Sequence, residues 1–212
     1  MSRSRTDRGA TLVFAFLAVL LIVVGTWKVL APESSSGTRD MLGNPVALEP
    51  GTGPTDDQLK QMDAIEDDGQ RLRVPSVDLD VPLGALDMVD DTINPPGFTS
   101  AYQVRNLGVP LEDASTGTVY VVMHSLRAGV GPGNHLIDVE AQASRVEPGA
   151  KIIIGDRTWT ATGDLTVTKP ELGAQEHLFD DTPGRLVLIT CQQRSDGKAA
   201  GENLVITAQL TH

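Results

Sequence analysis

The chain has 212 residues, a single cysteine and a formal net charge of −11, from 28 acidic against 17 basic side chains. That balance excludes a nucleic-acid-binding protein, which needs a basic face to neutralise phosphates, and the lone cysteine excludes an internal disulfide. Without a membrane segment and linker, the length leaves room for one domain.

In chain order, residues Ala10 to Trp27 carry no charge, and Leu12 to Val24 are apolar at every position. At about 1.5 Å per residue such a helix reaches roughly 27 Å, near the thickness of a bilayer's hydrocarbon core. Arg3, Arg5 and Arg8 precede it with only Asp7 opposing them. This predicts a cytoplasmic N-terminus over 1–9, a transmembrane signal-anchor helix over 10–29 and an exported remainder: a single-pass protein of the cell membrane. A cleaved signal peptide is the competing reading. The apolar core is long for one, and Pro32 directly after Ala31 makes a poor cleavage site, so an uncleaved anchor is favoured. Residues 30–70, rich in Ser, Gly, Pro and Asp, read as an extracellular stalk, with a short helix possible from Thr55 to Glu66.

A folded domain is predicted over 71–212, and its pattern is mainly β. Leu72 to Leu83 alternates apolar and polar residues, interrupted by prolines. Thr118 to Met123 is a continuous apolar run of strand length that ends at His124. Lys151–Ile154 and Arg157–Thr162 flank Gly155-Asp156, a two-residue hairpin signal. Leu165 to Thr168, Leu186 to Thr190 and Asn203 to Leu210 complete seven or eight short strands, which point to a closed barrel or a sandwich. Helical signal is thin: Gly97 to Val104, a turn near Leu136 to Ala141, and a piece around Leu172 to Phe179. Trp159 and Phe98 are expected in the core.

Two chemically capable residues end apolar strands, Cys191 and His124. Thiol catalysis needs a thiolate, and a neighbouring imidazole can take the thiol's proton and return it to a leaving amine. The alternative is a buried strand cysteine and a satisfied histidine, and a separation of 67 positions does not by itself choose between them. His135 and His177, beside Asp138 and Glu176, lack ligand spacing and read as loop residues. Glu112-Asp113 and Asp180-Asp181 could bind calcium, but solvated loop acids are the simpler reading. No metal or cofactor is expected.

Three segments carry a resemblance: Leu72-Arg-Val-Pro-Ser-Val77, Val119-Tyr-Val-Val-Met-His124 and Leu186-Val-Leu-Ile-Thr-Cys191. Their order and spacing resemble those of sortases, membrane-anchored cysteine transpeptidases of Gram-positive bacteria. The most specific element is the Leu-x-x-Thr-Cys end of a strand. Ile93-Asn-Pro-Pro96 and Val146-Glu-Pro-Gly-Ala-Lys-Ile152 support it, and the likeness is strongest to the actinobacterial class E/F branch. The resemblance implies an eight-stranded β-barrel over 71–212 that recognises a C-terminal sorting signal of the Leu-Pro-x-Thr-Gly type. It also implies a thioacyl-enzyme, resolved by an amine acceptor such as a peptidoglycan precursor or a pilin lysine. It assigns Cys191 as nucleophile, His124 as general acid/base and Thr190 as a substrate-side neighbour.

The pattern departs from the family at one important place. Sortases carry an arginine at the start of the last strand, whose guanidinium steadies the substrate carbonyl or developing oxyanion. Here Gly201 or Glu202 aligns with that position. Arg194, three residues after Cys191, is the expected replacement, with Arg127 and Arg105 as weaker candidates. Met123 stands where glycine is common, and Ser125-Leu-Arg127 follows the histidine. The alternative function is therefore a sortase-like domain that binds sorting signals or assembly partners without turnover. A simple thiol peptidase is a further possibility. The L,D-transpeptidases are disfavoured because their His-Gly…Gly-Cys-x-Arg pattern does not surround Cys191.

Overall fold

The computed structural model describes residues 39–46 and 54–211. The expected cytoplasmic and membrane segments, 1–9 and 10–29, lie outside them, as does His212. Among the described residues no helix is long and apolar enough to cross a membrane.

The domain opens with helix α1 (Asp56–Gln61), whose start is set by a capping box. The Thr55 hydroxyl accepts from the Gln58 amide at 3.2 Å, and the Gln58 side chain accepts from the Thr55 amide at 3.0 Å, which satisfies two of the amides a helix start leaves orphaned. Strands β1 (Ile65–Val74), β2 (Leu79–Leu86), β3 (Ala101–Gly108) and β4 (Thr118–Val122) follow. A two-stranded ribbon comes next, β5 (Ile137–Asp138) with β6 (Ala143–Ser144). After it come β7 (Lys151–Ile154), β8 (Arg157–Thr168), two single-turn helices α2 (Lys169–Leu172) and α3 (Glu176–Phe179), then β9 (Arg185–Gln192) and β10 (Glu202–Leu210). Eight strands close into a barrel in the order β1-β2-β3-β4-β9-β10-β8-β7. Closure removes the unpaired edges that an open sheet would expose. Two neighbouring pairs, β2–β3 and β4–β9, are parallel.

Two expectations shift. The stalk boundary at residue 70 falls inside β1, which begins at Ile65, and residues 39–46 are tied to the domain. There the Met41 amide donates to the Val130 carbonyl (2.8 Å), and the carboxylate of buried Asp40 accepts from the amides of Val130, Leu42 and Asn44. The helix expected at Gly97–Val104 is replaced by strand β3, where cross-strand pairing with β2 and β4 overrides weak local helical signal. The prolines that interrupt the Leu72–Leu83 run are built into the fold. Pro75 opens a 3₁₀ turn between β1 and β2, and Pro82 pairs with Arg71 inside the ladder.

Strand alternation sorts the apolar residues into two clusters. The first draws on the barrel strands around the closed sheet and fills the interior, with Leu72, Leu83, Val121, Ile152, Trp159 and Leu188 among its members. The second comes from the opposite faces of only a few strands and includes Tyr102, Tyr120, Val122, Val187, Ile189 and Val205. It lies on the outside of the β3-β4-β9-β10 wall. Buried Leu178 of α3 covers it, and Leu172 and Phe179 pack against it. Period-two alternation dictates this division: Val121 and Leu188 point inward, Val122 and Ile189 outward.

Candidate active site

The ladder between β4 and β9 explains how two distant residues meet. It is parallel, and its register pairs Thr118 with Arg185, Val119 with Leu186, and so on to Val122 with Ile189. Each pair is 67 positions apart, as the side-chain bond between Thr118 and Arg185 also records, and that is the separation of His124 from Cys191. One more backbone bond, from the Met123 amide to the Ile189 carbonyl at 3.1 Å, carries the pairing past Val122. The Ser125 hydroxyl then donates to the carbonyl of Cys191 itself at 2.5 Å. The Gln193 side-chain amide seals the junction by donating to the Ser125 carbonyl (3.1 Å) and hydroxyl (3.0 Å). Neighbouring strands lie about 4.8 Å apart, so His124, two residues past the end of β4, and Cys191, one before the end of β9, occupy adjacent positions.

Parity fixes the face. His124 follows Val122 by two and Cys191 follows Ile189 by two, so both lie on the outer side of the barrel wall, over the second cluster. They line a cavity of about 1130 Å³ whose apolar wall includes Met88, Ile93, Phe98, Leu172, Phe179 and Ile189. Pro45 and Val46 of the N-terminal segment border the same space. Cys191 is partly exposed there. The thiol is thus presented to a groove on the barrel's flank rather than to its interior.

The histidine is oriented from behind. Its Nε2 lies 2.8 Å from the Pro95 carbonyl. A carbonyl only accepts, so Nε2 carries the hydrogen and the neutral ring keeps its lone pair on Nδ1. The ring packs on Phe98 with centroids 4.5 Å apart. Burial depresses its pKa below the usual value; the Pro95 bond opposes this and the positive charge of Lys169 adds to it. His124 is therefore a neutral base at neutral pH. Beneath it, a 3₁₀ turn at Pro132–His135 donates the Gly133 amide to the His124 carbonyl at 2.8 Å. Only glycine fits there, because an added Cβ would fall 2.0 Å from Thr190 Oγ1 and 3.0 Å from that carbonyl.

The outer wall is clamped as well. Tyr120 donates to the Leu178 carbonyl at 2.8 Å, and the Arg185 guanidinium donates to the carbonyls of His177 (2.7 Å), Leu178 (3.0 Å) and Asp180. These bonds hold α3 against the barrel. Asp181 accepts from the Thr118 amide at 3.0 Å, and the Asp180 carbonyl accepts from the Thr118 hydroxyl. His135 donates from Nδ1 to the Val77 carbonyl at 3.1 Å.

Two of the three expected cations go elsewhere. Arg194 is held by Asp196, two residues on, with Nε to Oδ1 at 2.9 Å and a terminal nitrogen to Oδ2 at 2.6 Å. It is not among the residues that line the cavity. The same pairing, with bonds from Lys198, holds the Asp196 carboxyl well below the usual carboxylate range. Arg105 is built into the fold: it donates to Asp87 and to the carbonyls of Met62 and Asp63, fixing the end of α1 on the barrel. Arg127 does border the cavity. Thr190 borders it too, yet alternation turns its side chain inward against Gly133, and its buried Oγ1 has no hydrogen-bond partner among the described residues. It supports the site from beneath rather than facing a substrate. Met123 packs into the interior cluster and also borders the cavity, so its departure from glycine falls on the groove as well as on the core.

Two cavity residues escape the sequence reading. Lys169, at the start of α2, donates its amide to the Gly201 carbonyl at 3.0 Å, which brings it beside the start of β10. Asn203 pairs directly with Cys191 across the antiparallel β9–β10 ladder. Gly201 and Glu202, which the resemblance aligned with the family's arginine, do not line the cavity. The signal that finds Asn203 is the register, which no local motif specifies.

Comparison with solved structures returns sortases. Sortase A of Listeria monocytogenes superposes with a TM-score of 0.46 at 20% identity, over 68% of this chain and 86% of that one. A lid mutant of Corynebacterium diphtheriae sortase A gives 0.49 at 14% identity, over 72% and 74%. Sortase C-1 of Actinomyces oris gives 0.47 at 14% identity, over 68% and 73%. No protein-family model matches the chain, and no curated protein does. At such scores the superpositions add nothing to what the ladder register of this chain establishes.

Proposed function

We propose that the chain is a sortase-type cysteine transpeptidase of the class E/F kind, held in the membrane by residues 10–29 with its catalytic domain outside the cell. One observation supports the reading: the parallel β4–β9 ladder runs in register to Val122 and Ile189, two residues before His124 and Cys191, and both of these line one open, largely apolar groove. In the proposed reaction, Nδ1 of His124 takes the thiol proton as Sγ adds to the Thr carbonyl of a Leu-Pro-x-Thr-Gly-like signal. The tetrahedral adduct collapses, the C–N bond to Gly breaks, and His124 returns the proton to the departing amine. The thioacyl-enzyme is then attacked by an acceptor amine, from a cell-wall precursor or a pilin lysine. His124 removes the amine's proton and the thiol is restored. The exported proteins that bear the signal are the partners this reading requires.

The test is incubation of the full-length chain in detergent with a fluorescent sorting-signal peptide and an amine. Turnover that depends on the amine and vanishes in Cys191→Ala supports the enzyme. Cleavage unaffected by the amine would instead mean a peptidase. The rival, a domain that binds such signals without turnover, is favoured by one observation, the diversion of Arg194 to Asp196. It predicts saturable peptide binding with no product in either protein.

A further inference from the structure

Attack of a thiol on an acyl carbon leaves negative charge on the acyl oxygen, and the groove must offer a donor where that charge develops. Arg194 is occupied outside the cavity. Asn203 is the cross-strand partner of Cys191. Directly opposed residues of an antiparallel pair point to the same face with Cβ atoms about 4.5–5.5 Å apart, so its carboxamide shares the outer face with the sulfur. The residue borders the cavity and is only 9% exposed. No hydrogen bond joins its side chain to another described residue, and its amide is not among the sealed polar atoms left without a partner, so it reaches the space of the groove. A donor that the fold leaves unspent and open to the groove beside a nucleophile suits a partner that exists only during reaction.

Taking the thiol chemistry proposed above as its basis, we infer that Asn203 is a catalytic residue: its Nδ2–H donates to the oxyanion formed when Cys191 attacks an acyl group. A neutral amide thereby does in this chain what a guanidinium does in the family it resembles. The donor acts on any tetrahedral adduct at Cys191, whatever acyl group the groove accepts.

The experiment compares two reactions of the same sulfur in the full-length chain. In the first, p-nitrophenyl acetate acylates Cys191: an S–C bond forms, the C–O bond to p-nitrophenolate breaks after a tetrahedral oxyanion, and the thiol proton passes to His124. In the second, iodoacetamide alkylates it by direct displacement of iodide, with no oxyanion. Asn203→Ala and the nearly isosteric Asn203→Leu both remove the donor. Acylation is expected to fall by about 10²–10³-fold in whichever variant folds, with alkylation within threefold of wild type. Acylation within threefold of wild type overturns the inference, as does an equal fall in both reactions, which would mark a structural role. A wild-type thiol that is alkylated but never acylated overturns it too. Should acylation depend on Asn203 while no sorting peptide turns over, the inference stands and the sorting function falls. If Lys169→Gln or Arg127→Gln carries the acylation-specific loss instead, the donor is that cation and not Asn203.

Discussion

The interior of the barrel and its outer β3-β4-β9-β10 face are built from the same strands, yet they do different work. Inside, side chains from the closed sheet meet around fully buried residues such as Trp159, Leu72 and Ile152. Outside, the apolar floor formed by Tyr120, Val122, Val187 and Ile189 is covered only in part, by α3 and the loops, and the uncovered end is the groove. Consecutive residues serve opposite ends: Thr190 is buried against Gly133 while Cys191 faces the groove, and Met123 packs inward while His124 stacks on Phe98. A single strand can thus supply rigidity and chemistry together, because its side chains alternate. The tightly packed side holds the reactive side in register.

That contrast is broken most severely at the sulfur. Cys191→Ala, and to a lesser degree His124→Ala, should abolish acyl transfer by on the order of 10³-fold or more while leaving the unfolding midpoint nearly unchanged. Trp159→Ala reverses the pattern: an unfolding titration should show a loss of about 3–5 kcal/mol, from lost transfer energy and the cavity left behind, with the surviving folded fraction still active. Tyr120→Phe lies between the two. Removing its bond to the Leu178 carbonyl should cost about 1 kcal/mol in the same titration and loosen the α3 wall, raising KM for a peptide more than it lowers kcat.

Smaller effects sharpen the electrostatic side of the comparison. Burial and Lys169 both depress the His124 pKa. The base form therefore persists below the ordinary histidine range, and the acid limb of the acylation rate should fall below pH 6.5. Lys169→Gln removes one of the two depressing influences, so that limb should move to higher pH; a shift to lower pH or none contradicts the assignment. At the bottom of the scale, Arg194→Ala should change acylation less than threefold, since its guanidinium is already committed to Asp196.

Much of the fold was legible because it rests on local rules. Apolar runs and alternation located most of the strands, Gly155-Asp156 marked the β7–β8 hairpin, and the helix expected from Thr55 contains α1. β3 was missed because its strand character comes from pairing with β2 and β4 and not from its own residues. His124 and Cys191, expected at the ends of apolar runs, were visible as chemistry. Their adjacency came only through resemblance, because spacing alone left it open.

The linear chain determined which residues alternate, where strands stop, and that one thiol and one imidazole stand at two such stops. Tertiary structure decided the rest. Parallel pairing of β4 with β9 involves no connecting turn to set its register, so the offset that joins His124 to Cys191 is chosen by burial of both strand faces at once. The same closure set Asn203 opposite the sulfur, and the fold of the loop after β9 gave Arg194 to Asp196. Such choices depend on the whole barrel's packing, and no short stretch of sequence contains them.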